Sequence, residues 1–328
     1  MSSSEQVVTV TARETVELLP AERDASALGP REISGRTLAS IISTGTELNA
    51  CFLGANFPAT PGYAAVFEVQ EIGEGVTEVH RGDIVFGMGP HRSFQRMDAG
   101  DVVVVPPTLL PEHAVFARMM AVSMSTLTTT TARPPQRVLI TGLGLVGHLA
   151  AQIFQSCGYE VIGCDPSAAR RSLATAKGIR DTRERVPLGD AAVDGKVALV
   201  IECSGHEAAA LDGCRIVQKR GEVVLIGVPW RSLAEGLSAH DVMNAVFHRY
   251  AVLRSGWEWE VPWRPSEFRA NSIHGNFAAA LSWLAEGRID VRDLYETASP
   301  SDAQRIYATL REGAWPKLAA VFDWTKLR

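Results

Sequence analysis

The stretch from Arg137 to Asp165, RVLITGLGLVGHLAAQIFQSCGYEVIGCD, constrains this chain more than any other. Val138–Thr141 is an apolar run of strand length, and Leu149–Phe154 reads as the apolar face of a helix. Between them Gly142, Gly144 and Gly147 stand at GxGxxG spacing, and a second strand, Val161–Cys164, ends on the acidic Asp165. Gly142 permits a tight turn off the strand. Gly144 lets backbone amides approach a pyrophosphate at the positive end of a helix dipole, and Gly147 lets helix and strand pack closely. The spacing alone is a weak signal. A strand before it, a helix after it and an acid about 20 residues on supply the dinucleotide-binding context; a glycine-rich turn with no ligand is the competing reading. Asp165 is placed to accept hydrogen bonds from the adenosine ribose hydroxyls and to repel a 2′-phosphate, which favours NAD over NADP. Arg170 and Arg171 follow closely, where they either soften that preference or stand as solvated surface at a helix start.

With 328 residues the chain is long enough for two domains, each with a core. A net charge of −5 and the lack of a long basic run argue against nucleic acid or an anionic membrane as partner. The start, MSSSEQVVTV, lacks the charged opening and apolar core of a secretory signal, and no apolar run approaches a bilayer span. The five cysteines (Cys51, Cys157, Cys164, Cys203, Cys214) show neither CxxC pairing nor metal-type spacing. They read as reduced, mostly buried thiols of a cytoplasmic protein.

Residues 1–113 carry the signature of strands and glycine turns: Gln6–Thr11, Thr15–Leu19, Arg36–Ser43, Ala65–Ile72 and Val102–Val105. That pattern predicts a partly open β barrel. An apolar helix over Ala114–Leu127 and a linker at Pro134–Pro135 lead into αβ alternation. A helix is predicted over Pro166–Lys177, a strand over Val197–Cys203, a helix over Glu207–Gln218, a turn at Lys219–Gly221, and strands over Val223–Gly227 and Tyr250–Arg254. A tryptophan-dense segment (Trp257, Trp259, Trp263), a helix around Phe277–Glu286 and a closing strand near Leu318–Phe322 complete the chain. The last strand is expected to return to the first domain.

Several further runs carry a resemblance. They are Ser43-Thr44-Gly45-Thr46-Glu47, Pro61-Gly62-Tyr63, Glu71–Val76 leading to Arg81–Val85, Glu202-Cys203-Ser204-Gly205, and Gly221–Pro229. In this order, with the GLGLVG loop among them, the chain resembles the medium-chain dehydrogenase/reductase superfamily of zinc-type alcohol dehydrogenase-like proteins. The resemblance implies an α/β fold: a Rossmann doubly wound parallel sheet over 114–256, and a GroES-like β-rich catalytic domain over 1–113 and 257–328. It implies NAD or NADP held by the loop Gly142, Gly144, Leu145, Val146 and Gly147, with Asp165 and Arg170 near the adenosine ribose. Ser204, Gly205, Gly227 and Val228 would line the nicotinamide half through backbone groups. It also implies a homodimer formed through the edge strands near Val223–Gly227 and Tyr250–Arg254.

The departures from that family are informative. Zinc-dependent members place a cysteine where this chain has Thr44, a His-Glu pair where it has Tyr63 and Ala64, and a cysteine or acid where Arg118–Ala121 reads Arg-Met-Met-Ala. Catalytic zinc needs three Cys, His or carboxylate ligands, and Gly82–Asp101 lacks the cysteines of a structural zinc lobe. The expectation is a metal-free enzyme. STGTE followed by PGY is further similar to a zinc-lacking branch that includes bacteriochlorophyllide dehydrogenases, whose substrate is not carried over.

Without a metal, charge developing on a substrate oxygen needs a hydrogen-bond donor or a general acid. Tyr63 is either that donor or a pocket-lining aromatic with a satisfied hydroxyl. Thr46 matches the family's proton-relay hydroxyl or caps the helix that Glu47 begins. His91 either transfers protons near neutral pH or is a solvated loop histidine. Asn49 stands where alcohol dehydrogenases keep a relay histidine. Trp230, Trp257, Trp259 and Trp263 either wall a bulky or aromatic small-molecule substrate or form a contact surface. The function predicted is hydride transfer between nicotinamide and an alcohol or carbonyl. Its rivals are a quinone- or enoyl-type C=C reductase and a non-catalytic nucleotide-binding protein.

Overall fold

A computed structural model describes residues 5–327. Met1–Ser4, at the head of the segment read for a secretory signal, lie outside the described residues. The chain divides into two compact units. One comprises the residues up to Arg118, Phe277–Gly287 and those from Val291 on; the other comprises Met119–Asn276 and Arg288–Asp290. The division assigns 257–276 to the unit of the αβ alternation, whereas the sequence reading ended that domain at 256.

The second unit is built on a six-stranded sheet. Its strands are β1 (Arg137–Thr141), β2 (Glu160–Cys164), β3 (Asp181–Arg183), β4 (Val197–Glu202), β5 (Val217–Leu225) and β6 (Val252–Ser255). They run in the order β3-β2-β1-β4-β5-β6, every pairing parallel. The reversal of order beside β1 is the doubly wound pattern, with a crevice at the carboxyl ends of β1 and β4. Helices α1 (Leu145–Ser156), α2 (Ala168–Ala176), α3 (Glu207–Ile216) and α4 (Ala239–Arg249) supply the crossovers. β4 is buried along its whole length, as a strand covered on both faces must be. Leu139, Ile162, Val200, Val223 and Ile216 form one core with it.

Local chemistry sets the helix starts. The Ser167 hydroxyl accepts from the Arg170 amide and caps α2, so Pro166 lies before the helix rather than in its first turn. Ser238 and Asp241 form a reciprocal capping box on α4. The turn expected at Lys219–Gly221 falls inside β5. Arg220 takes a left-handed φ of 64°, and the pairing with β4 shifts register between Val197 and Leu199, so the irregularity is absorbed as a bulge.

The first unit contains a seven-stranded mixed sheet and a separate two-stranded one. The hairpin Glu5–Ala12/Thr15–Ala21 is antiparallel. Glu32–Ile41 sits centrally in the larger sheet, pairing with Ala65–Ile72, Phe94–Asp98 and the C-terminal strand Ala319–Asp323. That last strand does return to the first unit. Val8, Val10, Phe52, Ile306, Tyr307, Phe322 and Trp324 make one core here; Ile33, Phe67, Val69 and Val85 make another. The helix expected over Ala114–Leu127 is two, Pro111–Ala114 and Ala117–Thr129. All five cysteines are free, but only Cys164 and Cys214 are buried, fewer than the sequence suggested. No described helix is long and apolar enough to cross a membrane.

Candidate functional site

The glycine loop joins β1 to α1 with the geometry a phosphate cradle needs. Gly142 holds a φ of 82°, the left-handed region that only glycine enters cheaply. A Cβ on Gly147 would lie 1.8 Å from the Gly142 carbonyl oxygen, so no side chain fits there. A Cβ on Gly144 would meet nothing within 4 Å: the space over it is open. Leu145 and Val146, half-buried, give α1 its first turn, whose free amides and dipole favour an anion.

Asp165, at the end of β2, is 2 % exposed. Its Oδ2 accepts from the Leu143 amide at 2.8 Å and its Oδ1 from the Ser167 amide at 2.8 Å. The carboxylate thus ties the glycine loop to the start of α2 and keeps lone pairs for further donors. The Arg170 guanidinium lies 3.5 Å from Asp165 Oδ2 with half its side chain exposed. Arg171 instead donates to the carbonyls of Asp165 and Pro166, which fixes it to the backbone.

The third part of this rim is held by a group the sequence reading passed over. Glu202, at the carboxyl end of β4, is 1 % exposed. Its carboxylate accepts from the amides of Ser204 (2.7 Å) and Gly205 (3.0 Å), from the Thr141 hydroxyl (3.3 Å) and from the Ser204 hydroxyl. Gly205 has a φ of 70°, and a Cβ on Gly227 would come 2.2 Å from the Gly205 amide nitrogen. Ser204, Gly205 and Gly227 therefore pack backbone to backbone, while Val228 remains 39 % exposed. An acid closing an otherwise apolar strand, just before Ser-Gly, was the available clue. The residues present fit a dinucleotide: an open glycine, free helix amides and a buried acid at the end of the neighbouring strand.

The first unit brings Tyr63 and Thr46 together. Burial pushes the Tyr63 phenol above its usual range, and side-chain hydrogen bonds with Ser43 and Thr46 and the charge of Arg118 work against that rise. The Arg118 guanidinium stacks over the Tyr63 ring, 4.7 Å from its centroid. Thr46 makes no side-chain cap, so the capping role weighed for it is not the one it plays. Its turn is closed by Glu47, whose amide donates to the Ser43 carbonyl and whose Oε1 accepts from the Ser43 amide, both at 2.8 Å. Asn49 donates to the Gly45 carbonyl at 2.7 Å and braces the same turn.

His91 is fully buried, not a solvated loop residue and not presented to a ligand. Its Nδ1 lies 2.8 Å from Ser40 Oγ and its Nε2 3.0 Å from Glu47 Oε2. Trp324 Nε1 donates to the same Ser40 hydroxyl at 2.9 Å, and the Tyr307 hydroxyl donates to Glu47 Oε2. Burial, and then the Glu47 carboxylate, push the Tyr307 phenol well above its usual range. Gly62 makes room for this arrangement: with φ at 97°, a Cβ there would lie 2.6 Å from the His91 backbone nitrogen and 2.8 Å from its ring Nδ1. Both ring nitrogens being committed, His91 acts on the 43–47 turn rather than as an exposed proton donor.

The same positions decide the question of metal fit. Thr44, Tyr63, Ala64 and the run from Arg118 to Ala121 offer no Cys, His or carboxylate, and among the described residues no group of three or more such side chains could hold a metal ion. This donor set does not fit a catalytic zinc. Of the tryptophans, Trp230, Trp257 and Trp259 are between 43 % and 59 % exposed, and Trp263 packs edge-on to His274.

Residues 146–262 match the sequence model of the family described as zinc-binding dehydrogenase. The chain is 27% identical over 296 residues to a sorbitol dehydrogenase of Halalkalibacterium halodurans, covering 78% of this chain and 81% of that protein. It is 25% identical over 228 residues to the aldehyde reductase AdhA of Synechocystis sp., covering 56% of this chain and 65%, just under two thirds, of that protein. Among solved structures, galactitol-1-phosphate dehydrogenase from Escherichia coli superposes with a TM-score of 0.81 at 16% identity over 97% of this chain and 99% of its own. A putative zinc-binding dehydrogenase from Sinorhizobium meliloti, bound to NADP, does so with a TM-score of 0.76 at 18% identity over 98% and 99%. The family match over residues 146–262 shows a likeness to zinc-binding dehydrogenases in that part of the chain, and the full-length likeness to solved structures shows the shared fold.

Proposed function

We propose that this chain is a zinc-independent, NAD(P)-dependent oxidoreductase that transfers a hydride between nicotinamide and an alcohol or carbonyl. The observation that carries the reading is the cradle, where Gly144 lies open, Gly147 admits no side chain and Asp165 closes the end. A bound dihydronicotinamide supplies the hydride. The chain's own residues bind and orient: α1 amides take the pyrophosphate, Asp165 the ribose hydroxyls, and the 204–205 and 227–228 backbone the nicotinamide half. Asp165 favours NAD, and Arg170 is the side chain that would meet a 2′-phosphate. Tyr63 donates the proton to the substrate oxygen, with Thr46 as its hydroxyl partner. The exposed indoles suit a bulky or aromatic substrate. Among the described residues β6 pairs only with β5, and Val252 on it and Phe247 and Tyr250 before it are exposed, which supports a homodimer through this edge; a monomeric mass by sedimentation would remove that part.

The test is a fluorescence titration with NADH and NADPH. Reduction of aromatic aldehydes by chelator-dialysed wild type and Tyr63→Phe then follows. NADH binds more tightly, dialysis leaves the rate unchanged, and Tyr63→Phe lowers kcat by about 10²–10⁴-fold with NADH affinity intact. No affinity for either nucleotide, or activity lost on dialysis and restored by zinc, overturns the reading. Turnover of enones with inert aldehydes transfers it to C=C reduction.

A further inference from the structure

Arg118 belongs to the first unit as the second residue of the helix Ala117–Thr129, and it is 5 % exposed. Its Cζ stands 4.7 Å from the Tyr63 ring centroid, within the range where a cation and an aromatic face attract. The ring it covers belongs to the one candidate proton donor whose hydroxyl is also held by Ser43 and Thr46. Tyr63 is therefore engaged at two places: its hydroxyl by Ser43 and Thr46, and its ring by the Arg118 guanidinium. Arg118 is charged at every working pH, so it resembles a metal ion in one respect: a fixed cation beside a developing negative charge.

We propose that Arg118 is a positioning residue for the hydride-transfer chemistry, and that its guanidinium, stacked on the Tyr63 ring, stabilises the phenolate left when Tyr63 gives up its proton. This rests on Tyr63 being the proton donor. Hydride reaches the carbonyl carbon and the C=O π pair moves to oxygen. That oxygen takes the Tyr63 proton, and the O–H pair stays on the phenol oxygen. The resulting anion lies under Arg118 and accepts hydrogen bonds from Ser43 and Thr46. Solvent later returns a proton. In water such a phenolate would be screened at little gain; in a half-buried site the same charge acts through a lower effective dielectric. Burial, and less so the Glu47 carboxylate, make Tyr63 a poorer acid; its hydrogen bonds with Ser43 and Thr46, and after them the charge of Arg118, work against that.

The experiment places 3,5-difluorotyrosine, which titrates well below tyrosine's own range, at position 63 of the full chain and follows it by fluorine NMR. Parent, Arg118→Lys and Arg118→Met proteins are compared, with NADH affinity measured on each. The inference expects Arg118→Met to raise the titration midpoint by about one pH unit or more and Arg118→Lys to restore most of the difference, NADH affinity being unchanged throughout. A midpoint in Arg118→Met within a few tenths of the parent overturns it, as does an equal shift in Met and Lys variants. Should Arg118→Met fail to fold, Arg118→Gln takes its place under the same criteria. The titration needs no cofactor, so absent NADH binding in the parent sinks the oxidoreductase reading while leaving the coupling of the two side chains measurable. An unmoved midpoint with intact NADH-dependent turnover does the reverse.

Discussion

Two buried glutamates, one in each unit, do the same mechanical task with different partners. Glu202 gathers the amides of Ser204 and Gly205 and two hydroxyls; Glu47 gathers the Ser43 amide, the His91 imidazole and the Tyr307 phenol. Neither is ion-paired to lysine or arginine among the described residues. A carboxylate in low dielectric is stable only while its lone pairs are occupied, so each becomes the point around which a loop must close. The partners set what the loop can then do. Glu202 is surrounded by groups that hold their protons across the working range, and it fixes a backbone shape. Glu47 is surrounded by a backbone amide, an imidazole and a phenol brought from distant parts of the chain, and it stands one peptide away from Thr46. The 202–205 rim is thus shaped by its own backbone, whereas the turn carrying the candidate chemistry is braced by side chains from distant strands and a helix.

The most damaging change to this contrast is Glu202→Ala. Four donors lose their acceptor, so urea denaturation should show a loss of about 3–5 kcal/mol, and NADH titration should show binding largely abolished. Retained affinity would mean that the rim does not depend on its anion. Glu47→Gln comes next, with about 2–3 kcal/mol lost because His91 and Tyr307 keep only a neutral acceptor. NADH affinity should stay within about twofold while turnover falls, because the proposed proton donation by Tyr63 with Thr46 depends on this turn. Equal effects on affinity and turnover would erase the distinction between the two glutamates.

His148 sharpens the contrast from the other side, as a buried titratable group with no hydrogen-bond partner on either ring nitrogen among the described residues. Burial, with Lys177 adding to it, pushes its pKa from 6.5 down to about 4. Between those values the unfolded chain binds a proton that the folded one refuses. Stability is therefore whole above pH 6.5 and falls as pH drops toward 4, by about 3 kcal/mol at most. His148→Leu, followed by thermal melts across that window, should raise neutral-pH stability by about 1–2 kcal/mol and flatten the acid slope. The smallest effect is expected at Glu222. Burial would raise its pKa, but Thr131, Thr130 and Arg254 together hold it below 4.5. Its contribution is present above pH 4.5 and is lost as pH falls through the lowered value. Glu222→Gln should cost about 1 kcal/mol at pH 7 and nothing at the acid end, by the same melts.

What the sequence revealed and what it hid follow from distance along the chain. The glycine loop, its flanking strands and Asp165 form one continuous stretch, and glycine's steric demands make them readable without a structure. Tyr63 stands out because it occupies a position where zinc-dependent relatives keep a metal ligand, and Thr46 because it matches the family's relay hydroxyl. His91 could not be placed: its partners Glu47 and Ser40 lie 44 and 51 residues away, and Tyr307 lies 260 residues from Glu47. No local pattern encodes such meetings; the sheet that pairs Ala319–Asp323 with Glu32–Ile41 creates them. Arg118 was seen only as a failed metal ligand, since nothing in Arg-Met-Met-Ala says that its charge lies on an aromatic face.

The asymmetry between Gly144 and Gly147 has a practical use. Replacing Gly147 drives an atom into the carbonyl of Gly142, and the polypeptide must deform to accept it. Replacing Gly144 by alanine collides with nothing and requires no unusual backbone angle, so the folded molecule should survive with only the open space over the loop narrowed. Such a protein would be a matched blank, able to report which behaviours of this chain outlive the loss of its nucleotide.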